Sequence, residues 1–219
     1  ANRNLNQFRK MQMYIHAEQK QTGPTLRNKD LTAVFRMGTD FVNNYYEIRI
    51  PLNVTPLNAG TTLDPNKEAY NDTLWIPGNS LDVELQTLVK LKQARNNDVG
   101  ASTSVIYRKL QPNGHMYSVM GNPNLAEVRG ILLGVENTNA PGTACGEIWV
   151  NELRLSSIDE KGGFAALGRI DLNLADLGTI SLSGNIHSTG FGTLEQRINE
   201  RFRDNFYQFD ASANLELGK

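Results

Sequence analysis

The sequence predicts an all-β, mainly antiparallel fold, in which a jelly-roll-like β-sandwich with one short helix is followed by strands of an outer-membrane β-barrel. Three observations predict it. Apolar and polar residues alternate with period two in most segments, which is typical of strands with one buried face. Turn-forming residues separate these segments at short intervals. After Gly163 the alternating segments reach the ~9–11 residues that a tilted strand needs to cross a bilayer.

The N-terminal segments alternate most regularly. In the first, RKMQMYIHAEQ, every second residue from Met11 is apolar. The same pattern predicts a second strand around Phe35 and a third that Pro51 ends, because proline cannot donate to a strand ladder. The expected inward-facing residues are Met11, Met13, Ile15, Ala17, Leu31, Ala33, Phe35, Met37, Tyr46, Ile48 and Ile50.

A mixed region follows these strands. The Pro-, Asn- and Thr-rich stretch Asn53–Asn79 predicts a long surface loop. The next residues, Asp82–Leu85, predict a short strand. Apolar residues spaced between Thr87 and Arg95 then predict a brief amphipathic helix, the one helix expected in the sandwich.

A hairpin and two further strands complete the predicted sandwich. Ser104–Val119 contains Gln-Pro-Asn-Gly between two strand patterns, so we expect Asn113 and Gly114 to supply positive φ angles in a tight turn. The segments VRGILLGVEN and GEIWVNELRL supply the remaining strands. We therefore place the jelly-roll-like sandwich at residues 1–155, and expect it to be extracellular for the reason given below.

The rest of the chain is predicted as a linker at 156–163 and transmembrane barrel strands at 164–219, with a polar loop at 189–205. In each strand one side is polar throughout, while aromatic residues gather at one end of the last strand. A second soluble sheet with one wet face is the alternative interpretation. The lipid-facing candidates are Ile170, Leu172, Leu174, Ile180, Leu182, Ile186, Tyr207, Phe209, Leu215 and Leu217.

Connection lengths predict an orientation. Asp176-Leu177-Gly178 is a tight turn, whereas the loop 189–205 is long, and the spacing of Leu194, Ile198 and Phe202 within it suits a short helix. Barrels of this kind have short turns in the periplasm and long loops outside the cell. The sandwich is therefore expected on the extracellular side.

Composition limits the classes of function. The 219 residues include 22 basic and 23 acidic side chains with no run of either sign, which argues against a nucleic-acid partner. The one cysteine, Cys145, allows no internal disulfide, and no stretch approaches the ~20 apolar residues of a membrane helix. Because the chain starts at Ala1 and stops directly after a strand pattern, we expect a piece of a longer protein.

Motifs for chemistry are sparse. His16, His115 and His187 are far apart and lack metal-ligand spacing, and no nucleophile elbow or phosphate-binding loop occurs. We expect no enzyme activity, no catalytic residue, no bound metal and no cofactor. Among the tryptophans, Trp149 is expected to pack in the core or between the sheets, and Trp75, in a Pro-rich loop, is a possible exposed contact.

Several unusual motifs occur together in one order: RKMQMYIHAE, FRMGTDFVNNYYEIRIPL, GNPNLAEVRGILLGVEN, EIWVNELRL, GGFAALGRIDLNLADLG, GFGTLEQR and DNFYQFDASANLELGK. Together they resemble the SprA/Sov family, the outer-membrane translocon of the type IX secretion system of Bacteroidetes. The resemblance extends over almost the whole chain, which would be a small segment of a very large protein.

The resemblance implies a huge single-chain barrel in the cell outer membrane that exports folded cargo proteins and supports gliding motility in species that glide. It also implies partners: the remainder of the translocon barrel, a PorV-type outer-membrane shuttle protein, a periplasmic plug protein, secreted cargo and outer-membrane lipid.

A jelly-roll carbohydrate-binding or cell-surface binding module is the alternative function, because jelly rolls often bind glycans. The long strands after the closing strand favour the translocon.

Overall fold

The computed structural model describes residues 3–20, 23–56, 59, 64–138, 142–158, 162–196, 200–202 and 204–215. The chain divides into two compact units, Ala1–Ile158 and Asp159–Lys219. The strands of the N-terminal unit are β1 (Phe8–Gln19), β2 (Leu31–Gly38), β3 (Tyr45–Pro51), β4 (Leu81–Glu84), β5 (Tyr107–Leu110), β6 (Met116–Met120), β7 (Gly130–Asn137) and β8 (Gly146–Ile158), and its α-helices are α1 (Glu68–Leu74) and α2 (Leu85–Asn97). The strands of the C-terminal unit are β9 (Ala165–Asn173), β10 (Gly178–His187) and β11 (Phe206–Leu215).

The N-terminal unit is an antiparallel sandwich, as predicted. One sheet has the strand order β5-β6-β3-β2-β7 and the other β4-β1-β8. Met13 and Ile15 of the smaller sheet line one interior groove together with Phe35 and Ile50 of the larger sheet. The period-two pattern explains this arrangement, because it gives each strand one apolar face for the shared core.

Strand β1 is paired over nearly its whole length with β8. Phe8 at the start of β1 lies opposite Ile158 at the end of β8, and Gln19 lies opposite Gly146. Residues 156–158 of the predicted linker therefore belong to a strand. Residues 159–161 of that linker lie outside the described residues.

The predicted amphipathic helix is α2. It buries Leu85, Leu88, Leu91 and Arg95, which lie on one side at helical spacing. The buried guanidinium of Arg95 donates to the carbonyl of Gly121 and to the side chain of Asn96. These hydrogen bonds offset the cost of burying the charged group. Its position in the last turn also complements the helix dipole.

A second helix lies where only a loop was predicted. Helix α1 interrupts the stretch Asn53–Asn79 and buries none of its own residues. Its apolar side consists of the half-buried Tyr70 and Leu74 alone, which is too short for a periodicity argument to detect. The expectation of a single helix in the sandwich was wrong for this reason.

The predicted hairpin between β5 and β6 is present, but its turn differs from the expectation. Gly114 has a φ of +82°, whereas Asn113 is not among the residues with positive φ. The amide of Gly114 donates to the carbonyl of Gln111, and the amide of Gln111 donates to the carbonyl of His115. A wider loop with one left-handed glycine replaces the two-residue turn.

The expectation for Trp149 was also wrong, because this side chain is 57% exposed. Trp149 pairs with His16, which shares the outer face of the sheet with Tyr14, while Ile15 and Met13 face the core. A bulge causes the reversal: Glu152 and Leu153 together face Met13. If Leu155 is taken to face the core and strict alternation is continued toward the start of β8, every residue before the bulge is therefore assigned to the wrong face of the sheet.

The C-terminal unit is one antiparallel sheet with the order β11-β10-β9. The predicted tight turn is a single 3-10 turn, Ala175–Leu177, followed by Gly178 at a φ of +134°. No α-helix occurs among the described residues of the loop 189–205. Leu194 is fully exposed there, and Ile198 lies outside the described residues.

Asp40 organises the loop between β2 and β3. Its Oδ1 accepts hydrogen bonds from the amides of Val42, Asn43 and Asn44. These bonds, that from Asn43 foremost, hold the pKa of Asp40 well below its ordinary value.

We expect the Asp40 carboxylate to stabilise the N-terminal unit above the unfolded-state pKa of about 4 and to lose that contribution as the pH falls below it. Asp40→Asn should therefore flatten the acid side of the stability profile, measured by urea denaturation at several pH values. Asp98→Asn is the control, since that carboxylate accepts one amide, from Gly100. Equal flattening in both variants would contradict the assignment.

Candidate functional site

The C-terminal sheet has one apolar face, formed by rows of side chains that run across all three strands. Because the ladders are in register, residues opposite one another share a face. The rows of this face are Leu172–Ile180–Ala213, Ile170–Leu182–Ala211, Gly168–Gly184–Phe209 and Ala166–Ile186–Tyr207. These four rows therefore contain seven of the ten residues predicted to face lipid.

The other three predicted residues lie outside these four rows. Leu215 pairs with Gly178 and so continues the apolar face by one row at the turn end of β11, whereas Leu174 follows β9 in the turn itself. Leu217 lies outside the described residues. The strand residues of the predicted set therefore lie on one face, whereas Leu174 sits where the chain already leaves the strand.

The opposite face of this sheet is mainly polar. Its central rows are Asp171–Ser181–Ser212 and Arg169–Ser183–Asp210. Ser181 donates to Asp171 Oδ1 at 2.6 Å, and Arg169 Nε donates to Asp171 Oδ2 at 2.9 Å. The polar face of the sheet thus suits contact with water, whereas the apolar face suits an apolar environment.

The apolar face is uncovered within the C-terminal unit. Every described residue of β9 and β11 is exposed, and the exposed fraction reaches 65% for Tyr207 and 76% for Phe209. Contiguous apolar surface of this kind is uncommon in soluble monomers and marks contact with another protein or with a membrane. The face is therefore a candidate contact surface.

A hollow interrupts the apolar face, and sequence reasoning missed it. Gly168 and Gly184 lie opposite each other, and the ring of Phe209 reaches 3.3 Å from the position that a Cβ on Gly184 would take. The resulting cavity of about 550 Å³ is lined mostly by apolar groups. Glycine inside two strand patterns was the available signal, since it often marks close approach of another group.

Aromatic side chains gather at the loop end of the sheet. His187 lies 5.1 Å from Phe206 and 4.3 Å from Phe202, measured between ring centroids. Phe202 lies 6.4 Å from Phe191 of the same loop. Tyr207 follows Phe206 at this end, so aromatic groups mark one margin of the sheet.

In the N-terminal unit, Trp75 lies at the end of α1 and is half-buried. Its ring centroid is 6.2 Å from that of Tyr14 and 5.9 Å from that of His16. The Nδ1–H of His16 donates to the carbonyl of Leu74 at 2.6 Å, which ties this end of the helix to β1. Trp75 is therefore held at the rim of a cleft.

The histidines have structural contacts. His16 is bonded to Leu74 as described, and His115 Nε2 donates to the carbonyl of Gly78 at 3.2 Å. Burial lowers the pKa of His115, and the bond to Gly78 opposes that shift. Within the described residues no group of three or more His, Cys, Asp or Glu side chains is placed to hold a metal ion.

These features define an all-β protein that joins a sandwich with its own core to a sheet with one exposed apolar face. None of the helices in the described part of the chain is long and apolar enough to cross a membrane. A family model, SprA_N, described as motility related/secretion protein, matches residues 1–219. The chain belongs to this family, which confirms the resemblance found in the sequence. A comparison with curated proteins gave no match.

Proposed function

We propose that the chain is a segment of the outer-membrane translocon of the type IX secretion system, a pore that exports folded cargo proteins and supports gliding motility in gliding species. The family description, motility and secretion, supports this role. The observation that carries the proposal is the continuous apolar face of the C-terminal sheet, backed by a polar face. A barrel wall needs this combination, with lipid on one side and a wet lumen on the other.

Strand length fits this role. Strand β10 has 10 residues, or roughly 34 Å at about 3.4 Å per residue. At a tilt of about 45° it covers roughly 24 Å, close to the ~25 Å apolar band of outer-membrane barrels. The aromatic margin near Tyr207 corresponds to an interfacial girdle.

The sheet also has edges for further pairing. β9 and β11 each pair with β10 alone among the described strands, so both outer edges are open to neighbouring strands. The remainder of the translocon barrel is the proposed neighbour. A PorV-type shuttle protein and outer-membrane lipid would contact the apolar face, while secreted cargo and a periplasmic plug would meet the lumen side.

In this proposal the chain works as a conduit and not as an enzyme, and the sandwich is extracellular. The alternative, a free-standing carbohydrate-binding or cell-surface binding module, leaves the apolar face of the C-terminal sheet without a purpose. The orientation follows from the short turn at Ala175–Leu177 and the long loop after His187.

Cysteine labelling on intact cells tests the orientation. In the parent protein with Cys145→Ser, we expect Asn66→Cys, exposed beside α1, to react with a membrane-impermeant maleimide. Leu177→Cys, at the tight turn and 67% exposed, should react only after the outer membrane is permeabilised. Labelling of Leu177→Cys on intact cells would move the sandwich to the periplasm.

A further inference from the structure

A cleft of about 670 Å³ lies on the outer face of the three-stranded sheet of the N-terminal unit. Its floor comes from β1 and β8, and its wall comes from α1 and the residues that follow it. This volume is within the ~300–1,000 Å³ of small-molecule sites. The cleft is separate from the apolar face of the C-terminal sheet, and its role does not depend on the pore proposal.

Two aromatic rings shape one end of the cleft. Trp75 and Tyr14 meet edge to face, with an interplanar angle of 70°. Tyr14 is 42% exposed, although it lies in a strand of a packed sandwich. The bond from His16 to the Leu74 carbonyl fixes the backbone beside Trp75, so this ring is held in place before any ligand arrives.

The β-bulge of β8 supplies the floor. Glu152 has a φ of +54°, an uncommon angle for a residue other than glycine, and both Glu152 and Arg154 line the cleft. Arg154 is ion-paired with Glu152, and its guanidinium lies 5.9 Å from the centre of the Tyr14 ring. Arg154, the one cationic side chain that lines the floor, is thus already bound to the carboxylate of Glu152 and lies near the ring of Tyr14.

The wall presents polar groups without a partner among the described residues. The side chains of Glu68, Asn71 and Asp72 are exposed, line the cleft, and make no hydrogen bond or ion pair within the described chain. Two of the three are carboxylates, which only accept hydrogen bonds when ionised. A ligand in this cleft must therefore offer donors, and an anionic ligand would meet repulsion.

We propose that this cleft binds a neutral oligosaccharide, with a sugar ring against Trp75 and hydroxyl groups donating to Glu68 and Asp72. Sugar rings have an apolar C–H face that packs on aromatic rings and many hydroxyl donors around it, which matches the two halves of the cleft. A basic peptide fits less well, since a cation at the floor would lie beside Arg154 and compete with it for Glu152 and Tyr14.

Tryptophan fluorescence tests the proposal directly, because the chain has two tryptophans and one of them, Trp149, does not line the cleft. The Trp149→Phe variant leaves Trp75 as the sole reporter. The full chain is held in a zwitterionic detergent without a sugar headgroup. It is titrated with neutral tetrasaccharides of glucose, mannose, xylose and N-acetylglucosamine, and with a tetralysine peptide.

We expect at least one tetrasaccharide to change the Trp75 emission saturably, and calorimetry on the unsubstituted chain to give the same affinity. Trp75→Ala should weaken binding at least about tenfold, and Asp72→Asn about threefold to tenfold. Trp149→Ala should leave binding unchanged, and Trp75→Phe should restore most of it. Circular dichroism of each variant verifies that the fold is retained.

Three results would overturn the proposal. One is that none of the four tetrasaccharides binds. Another is that a sugar binds equally well to Trp75→Ala and to the unsubstituted chain. The third is that tetralysine binds in preference to every sugar, which would make the cleft a site for basic peptides.

Discussion

Leu182→Arg is expected to destabilise the membrane-inserted parent protein by about 2–4 kcal/mol, whereas Ser183→Arg, one residue further along β10, should be tolerated. Leu182 lies between Ile170 and Ala211 in the apolar rows, so an arginine there would enter the acyl chains. Ser183 lies between Arg169 and Asp210 on the polar face, where an added guanidinium meets water and a carboxylate. The amount of folded protein in the outer membrane and the export of cargo measure the contrast.

Loss of stability in Leu182→Arg does not by itself distinguish lipid from a protein neighbour. A second soluble sheet packed on this face would also be destabilised by a buried, unpaired charge. A photo-crosslinking residue at Leu172 or Leu215 separates the two cases. Capture of lipid or of a membrane-embedded partner supports the barrel wall. Consistent capture of the sandwich would contradict it.

Gly121→Ala is expected to cost the N-terminal unit about 4 kcal/mol or more, a size that single substitutions seldom reach. A Cβ on Gly121 would lie 1.8 Å from the carbonyl oxygen of Asn43, and the residue has a φ of +64°. The loop that carries Asn43 is fixed by Asp40, so the backbone cannot move aside cheaply. Urea denaturation followed by fluorescence gives the free energy of unfolding.

Gly114→Ala provides the matched control. Gly114 also has a positive φ, +82°, but nothing lies within 4 Å of the position of its Cβ. Its substitution should cost only the left-handed backbone strain of about 1–2 kcal/mol. If the two variants lose equal stability, the steric clash at Asn43 has no part in the effect.

Much of the fold follows from period-two alternation, and what the sequence does not reveal has particular physical causes. Strand β1 and helix α2 are predictable because each has one apolar side at its own period. The apolar side of helix α1 is only two residues long, and the bulge at Glu152 reverses the alternation of β8. No local sequence pattern indicates helix α1 or the bulge of β8.

The candidate sites illustrate the same limit. The apolar rows of the C-terminal sheet are predictable, since each strand alternates by itself. The pairing of Gly168 with Gly184 and Phe209 depends on the register between three strands, which no single strand encodes. The cleft is less predictable still, because it requires α1, the bulge and Trp75 to be brought together by the fold.

The pairing of Phe8 with Ile158 has a mechanical consequence for the N-terminal unit. In an antiparallel ladder the start of one strand lies beside the end of its partner, so the start of β1 and the end of β8 share one corner of the unit. Tension applied at that corner separates the strands one pair at a time, as a zipper opens, because each hydrogen bond bears the load in turn. The ladder would thus open gradually from Phe8 toward Gln19 once the backbone bonds of Arg3 to Val128 and of Leu5 to Leu125 are broken.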